Sequence, residues 1–137
     1  MNEIWKRYTK RYEGFCVMPY LCSTGHMTIG YGHNLENGIS QEAAEFILQQ
    51  DMTAAQTAVS RQFAGWNQLN EVRQFILVDM CFNMGIGKLC GFKKMLAALK
   101  RGDYTAAANE MLSSRWAGQV GQRAKDLAQM MKTGAYL

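Results

Sequence analysis

Three side chains capable of acid, base or nucleophilic chemistry lie close together near the start of the chain. Glu13 follows a run with helical periodicity, Cys22 comes nine residues later and Thr28 fifteen residues later. A carboxylic acid that faces a second base or nucleophile, beside a hydroxyl able to hold water, suggests hydrolysis by general acid and base. Taken alone, this pattern is a weak signal.

The elements that must position these side chains can be predicted from the same stretch. Apolar residues spaced by three and four from Asn2 to Tyr12 predict a short helix, which would carry Glu13 at its C-terminal end. A carboxyl group there meets the negative end of the helix dipole, which favours the protonated acid. Short apolar segments, separated by Ser23-Thr24-Gly25, then predict a β-hairpin followed by a third short strand or turn.

The rest of the sequence is helical in pattern. Ser40 is a good N-cap for a long helix from Gln41 to about Phe63, which we expect to bridge two lobes. The apolar segment from Phe75 to Phe82 is the predicted buried centre, with a structural, buried role for Cys81. Further helices are predicted over Leu69 to Met84, Lys93 to Lys100, Tyr104 to Ser113 and Val120 to Lys132, with Asp103 as an N-cap and Gly134 as a stop.

Several motifs resemble the T-even phage type of lysozyme, a glycoside hydrolase that degrades peptidoglycan. Thr28 to His33 carry the motif T-I-G-x-G-H at the family's distance from Glu13. Similar segments recur in family order and cover nearly the whole chain: Ser40 to Val59, Phe82 to Gly85, Gly91-Phe92, Ser114 to Trp116 and Arg123 to Lys125. The resemblance implies an α+β, mainly α, lysozyme-like fold. It also implies a single domain over residues 1–137 with two lobes. The small lobe covers about 13–40, and the helical lobe consists of about 60–137 together with the N-terminal helix.

The resemblance also implies roles for individual residues. The general acid falls on Glu13, the threonine that positions water falls on Thr28, and the family's second carboxylate, normally aspartate, falls on Cys22. His33 is expected to pair with Asp51, and Arg123 is expected near Glu13. The substrate cleft between the lobes would be lined by Asn34, Phe82, Met95 and Glu110, with Arg115 and Trp116 supporting the helical lobe.

Composition limits the other functions open to the chain. A length of 137 residues with 48% apolar content is ordinary for one globular domain. The net charge of +4 favours anionic partners such as the polymers of a bacterial wall, and the dispersed basic residues argue against nucleic-acid binding as the primary role. The cysteines and histidines lack the spacing of a metal site, and we expect no cofactor. These residues are Cys16, Cys22, Cys81, Cys90, His26 and His33.

The sequence lacks the layout of a secretory signal and any apolar run of about 18 residues. We therefore expect synthesis in the bacterial cytoplasm and no stable membrane insertion. The resemblance implies action at the periplasmic cell wall, and we expect a monomer. The even number of cysteines permits disulfides, whereas cytoplasmic synthesis favours free thiols.

The resemblance favours an endolysin-type muramidase that cuts the β-1,4 bond between N-acetylmuramic acid and N-acetylglucosamine, with a holin as a partner for release. Two alternatives remain open. One is the same chemistry in a secreted antibacterial effector or secretion-apparatus protein, accompanied by an inhibitor or immunity partner. The other is a lysozyme-like module that binds glycan without cutting it.

Overall fold

A computed structural model describes residues 1–137 as eight α-helices, three short β-strands and two single 3-10 turns. The chain divides into two compact units, Met1–Phe46 and Ile47–Leu137. The architecture is mainly helical with a small N-terminal antiparallel sheet, which confirms the predicted fold class. The single domain over 1–137 stays a prediction.

The first helix, α1, runs over Glu3–Glu13 and belongs to the first unit. Asn2 caps its start, with Oδ1 accepting a hydrogen bond of 2.9 Å from the Ile4 amide. Its assignment to the helical lobe stays a prediction. Within the first unit, a two-residue connection joins it to the next strand, and Lys10 Nζ lies over the Tyr31 ring at 5.2 Å.

The sheet contains β1 (Cys16–Leu21), β2 (Met27–Gly30) and β3 (His33–Asn34), in the order β1-β2-β3 and antiparallel throughout. Leu21 pairs with Met27 and Tyr20 with Thr28 across the hairpin. A 3-10 turn, Leu35–Asn37, follows β3. The predicted hairpin and short third strand are therefore confirmed.

Helix α2 spans Gln41–Gln62, beginning in the first unit and continuing into the second. The Ser40 hydroxyl accepts a hydrogen bond of 3.1 Å from the Ala43 amide, as expected of an N-cap. The predicted end of this helix was one residue further along the chain. The long helix that connects the two parts of the sequence is therefore confirmed.

The second unit continues with six more helices: α3 (Glu71–Met84), α4 (Ile86–Cys90), α5 (Lys93–Lys100), α6 (Tyr104–Leu112), α7 (Arg115–Val120) and α8 (Gln122–Thr133). A second 3-10 turn, Trp66–Gln68, precedes α3. Helices α4 and α7 were not predicted, because five and six residues are too few to display a helical period. Asp103 caps α6 and Gly134 ends α8 in the left-handed conformation, as predicted.

The core of the second unit is centred on α3. Ile76, Leu77 and Met80 are fully buried, and Cys81 is buried beside them, as predicted. Phe82, at the end of the same apolar segment, is exposed instead. The helix thus turns its last aromatic residue away from the core while its middle turns anchor the bundle.

Candidate active site

Glu13 is the last residue of α1, and its carboxyl group packs against the turn between β2 and β3. A Cβ added to Gly32 would lie 2.5 Å from Glu13 Oε2 and 2.6 Å from Cδ. Gly32 also has a φ of +75°, which side chains rarely adopt. Only glycine therefore allows the carboxyl group to sit this close to the hairpin backbone.

Cys22 directly follows β1, and hydrogen bonds surround its half-buried thiol. Its Sγ lies 3.1 Å from Thr24 Oγ1, and its amide donates to the His26 carbonyl at 2.9 Å. The hydrogen bond from the Thr24 hydroxyl, followed by those of the His26 and Thr24 backbone, lowers the pKa of the Cys22 thiol to about 6. The thiolate is therefore the main species at neutral pH, so Cys22 carries a negative charge there.

Thr28 is the one buried polar side chain of the chain, with 3% of its surface exposed. Its hydroxyl donates a hydrogen bond of 2.9 Å to the His26 carbonyl, the same oxygen that accepts from the Cys22 amide. The backbone of His26 therefore fixes Cys22 and Thr28 relative to each other. Because the Thr28 proton is already used, its oxygen can act as an acceptor towards a water molecule.

Tyr20 of β1 interacts electrostatically with two of the candidate residues, Glu13 and Cys22. Partial burial, followed by the negative charges of Cys16, Glu13 and Cys22, raises the pKa of the Tyr20 hydroxyl. Sequence reasoning treated Tyr20 only as part of a strand. Thr24 was missed in the same way, although a hydroxyl residue two positions after a cysteine, in a turn segment, can be recognised as a local hydrogen-bond donor.

His33 and Asn34 of β3 hold the end of the small sheet. His33 Nε2 donates to the Gly38 carbonyl at 2.8 Å, and Asn34 Oδ1 accepts from the Glu36 amide at 3.0 Å. Both contacts lie inside the first unit. Asp51 belongs to the second unit, so its pairing with His33 stays a prediction, as does contact between Asn34 and substrate.

The substrate-binding positions expected in the second unit fall on two cavities. Met95 and Glu110 line a cavity of about 400 Å³, and Asp51 and Phe82 line another of about 390 Å³. Met95 is fully buried in the core, so it forms the base of its cavity. Binding of glycan at these positions stays a prediction.

Arg123 and Trp116 tie the helices of the second unit together. The Arg123 guanidinium donates two hydrogen bonds to the Asp79 carboxylate, at 2.9 and 2.8 Å, and this pairing raises its pKa. Trp116 is buried, and its Nε1 donates to Asn83 Oδ1 at 2.8 Å. Arg115 is exposed, and its supporting role stays a prediction.

Asp79 was missed by sequence reasoning, although a lone charge inside the apolar segment Phe75 to Phe82 signals a buried partner. Its pairing with Arg123 gives that arginine a structural role inside the second unit. Proximity of Arg123 to Glu13, which lies in the first unit, stays a prediction.

Two properties of the whole chain complete the description of the site. No set of three or more His, Cys, Asp or Glu side chains is arranged to hold a metal ion. None of the helices combines the length and the apolar character that crossing a membrane requires.

Comparison with known proteins identifies similar sequences along almost the whole chain. A profile described as phage lysozyme matches residues 10–132. An endolysin of Acyrthosiphon pisum secondary endosymbiont phage 1 is 30% identical over 118 residues, which cover 83% of this chain and 79% of the endolysin. The probable T4-type lysozyme 1 of Dictyostelium discoideum is 23% identical over 152 residues, covering 89% of each chain. The pre-baseplate central spike protein Gp5 of Enterobacteria phage T4 is 26% identical over 154 residues, covering 91% of this chain but only 27% of Gp5.

Proposed function

Because the chain belongs to the phage lysozyme family, whose members are glycoside hydrolases of peptidoglycan, we propose that it cuts the β-1,4 bond between N-acetylmuramic acid and N-acetylglucosamine. The observation that carries this proposal is the arrangement of a carboxyl group, a thiolate and a hydroxyl on one small hairpin unit. Glu13 packs on Gly32, and Cys22 and Thr28 share the His26 carbonyl. Hydrolysis of a glycosidic bond needs an acid for the leaving oxygen and a base for the attacking water, and we assign Glu13 and Cys22 to these two roles.

Glu13 is the general acid in this proposal. The Glu13 carboxyl group donates its proton to the glycosidic oxygen as the bond to the anomeric carbon breaks. The close approach to Gly32 supports this role, because it puts the carboxyl group beside the hairpin that carries Cys22 and Thr28.

Cys22 and Thr28 hold and activate the attacking water. Two acceptors, the Cys22 thiolate and the Thr28 oxygen, each take one hydrogen bond from the water, which leaves its lone pair free for the anomeric carbon. As the new C–O bond forms, the water loses a proton to the Cys22 sulfur, and Glu13 becomes a carboxylate. Attack by water from the face opposite the leaving oxygen inverts the anomeric configuration.

The glycan chain would contact positions in both units. Asn34, Phe82, Met95 and Glu110 are the proposed positions along it, and the two cavities of the second unit support the last three. In this proposal the enzyme is made in the bacterial cytoplasm and acts on the periplasmic wall at the end of a phage infection.

Turbidity measurements on outer-membrane-permeabilised cells test the proposal. Glu13→Gln should abolish lysis with little change in the midpoint of thermal unfolding, because the carboxyl proton is lost and the shape is kept. Glu3→Gln is the matched control, since it removes the same charge from the other end of α1, and it should lyse like the wild type. Lysis by Glu13→Gln would refute the role of Glu13.

Product analysis separates catalysis from simple binding. Wild-type protein should release new reducing ends from purified peptidoglycan, and their first-formed anomer should be the inverted one when followed by NMR. Retention of configuration, or an adduct on Cys22 found by mass spectrometry, would make the thiolate a nucleophile instead of a base. Binding without release of reducing ends would indicate a glycan-binding module.

A further inference from the structure

We propose that Thr24 is a positioning residue for the reaction, whose hydroxyl donates a hydrogen bond to the Cys22 sulfur and keeps it in the thiolate form that accepts a proton from water. This inference rests on the proposed function, because it gives Cys22 its role as base. It goes further by identifying what allows a cysteine to act at a position where the family normally has aspartate.

The local backbone brings the two side chains together. The Gly25 amide donates to the Cys22 carbonyl at 2.9 Å, which closes a four-residue turn with Thr24 at its third position. Within this turn Thr24 Oγ1 lies 3.1 Å from Cys22 Sγ. A thiolate carries no proton, so the hydroxyl must be the donor.

Of the two hydroxyls that lower the pKa of Cys22, Thr24 has the larger effect and Thr28 the smaller. The Thr24 hydroxyl makes no other side-chain hydrogen bond, so its proton is available to the sulfur. The Thr28 hydroxyl has one proton and donates it to the His26 carbonyl. Thr24 is therefore the main side-chain donor to Cys22.

The titratable groups around the sulfur do not replace this hydrogen bond. Tyr20 on β1 interacts electrostatically with Cys22, and also with Cys16 and Glu13, whereas the His26 ring is occupied by Glu36, with Nδ1 2.6 Å from Oε2. Hydrogen bonds, with that of Thr24 first, account for the low pKa of Cys22. A free cysteine has a pKa of roughly 8.5 and would be mostly a neutral thiol at neutral pH.

Alkylation of Cys22 by iodoacetamide as a function of pH tests the hydrogen bond directly. Peptide mass spectrometry follows Cys22 separately from the other three cysteines. The alkylation midpoint of the wild type is expected at about pH 6. Thr24→Val, which removes the hydroxyl and keeps the shape, should raise the midpoint by a unit or more, whereas Thr24→Ser should restore it.

Lysis should change in parallel with alkylation. Thr24→Val should lose roughly 2-fold of its lysis rate at pH 7 if the Cys22 pKa rises by one unit, and roughly 10-fold if it rises by two. The rate should recover as the pH is raised, because the thiolate fraction limits it. Ser23→Ala is the matched control, since Ser23 is an exposed neighbour in the same turn, and it should behave like the wild type. Thr24→Ala provides a second variant without the hydroxyl, in case valine disturbs the turn.

The outcomes separate this inference from the proposed function. An unchanged alkylation midpoint in both folded variants that lack the hydroxyl would overturn the role of Thr24. If the midpoint rises but Cys22→Ala still lyses cells at the wild-type rate, the hydrogen bond exists and the assignment of Cys22 as the base is wrong.

Discussion

The hydrogen bonds around Cys22 favour a negative charge on a thiol, a charge that an aspartate carries without help. An aspartate is anionic at neutral pH without help, whereas a thiol needs donors that stabilise its negative charge. The turn after β1 supplies these donors from the Thr24 hydroxyl and from backbone amides. The charge at this position therefore depends on the conformation of four residues.

The pH dependence of lysis follows from the low pKa of Cys22. We expect the wild-type lysis rate to fall as the pH is lowered through about 6, because the sulfur becomes protonated. In Cys22→Asp this fall should move to lower pH, since the ordinary pKa of aspartate is roughly 3.9. Cys16→Ala removes another thiol of the same hairpin and should keep the wild-type profile. A profile that is identical in Cys22→Asp would contradict the expectation.

The stability that Cys22 gives to the folded protein should also fall as the pH is lowered. The folded pKa of Cys22 lies below its value in the unfolded chain, so the thiolate stabilises the fold above the unfolded pKa and this contribution is lost as the pH falls through about 6. The difference in thermal midpoint between wild type and Cys22→Ala should accordingly be larger at alkaline than at acidic pH.

Gly32 should be essential for placing Glu13, and Gly30 serves as a control for the effect of backbone strain. Gly32→Ala puts a Cβ against the Glu13 carboxyl group, and Gly30→Ala introduces a Cβ at a similar φ of +70° with nothing within 4 Å. Both variants should lose about 1–2 kcal/mol of stability from the left-handed backbone. Only Gly32→Ala should also lose lysis by about 10-fold or more, since the carboxyl group must move. Equal lysis rates at equal stability would contradict this.

Among the elements, the packing of α3 against α8 depends on one ion pair as well as on apolar contacts. The Asp79 and Arg123 side chains are 16% and 37% exposed, and the guanidinium contacts both carboxylate oxygens. A bidentate pair with this geometry contributes more than an exposed surface pair, and partial exposure limits the desolvation cost that a fully buried pair would carry.

A double-mutant cycle measures this ion pair. Asp79→Asn and Arg123→Gln should each lower the free energy of unfolding by about 1–2 kcal/mol. The double variant should be at least as stable as the less stable of the two single variants. Urea unfolding of the four proteins gives the coupling energy. Simple addition of the two losses would show that the contact contributes nothing beyond its separate side chains.

At the scale of the whole molecule, the net charge of +4 should influence how the enzyme reaches its substrate. Attraction between exposed charges is screened at a Debye length of about 8 Å at physiological ionic strength, and more strongly above it. We expect the lysis rate of whole permeabilised cells to fall as salt is raised above that level. Cleavage of a short, uncharged glycan fragment is the control and should change little. Equal salt dependence of both substrates would show that the net charge plays no part in the encounter.

Much of the architecture could be predicted from the sequence, because local patterns determine local elements. The N-caps at Ser40 and Asp103, the stop at Gly134 and the apolar centre of α3 all depend on residues within a few positions of one another. The hairpin followed from apolar segments on either side of a turn, and the family's motif pointed to Glu13, Cys22 and Thr28. Helices α4 and α7 escaped prediction, because one or two turns carry too little periodicity.

The tertiary structure alone decided which groups surround these residues. Packing of Glu13 on Gly32 joins positions 19 residues apart, and pairing of Asp79 with Arg123 joins positions 44 residues apart. Such contacts depend on how strands and helices pack, which no local pattern records. The charge of Cys22 also depends on the folded conformation, but over a few neighbouring residues. The residue type was visible in the sequence, but its charge is set by the direction in which a folded turn points the Thr24 hydroxyl.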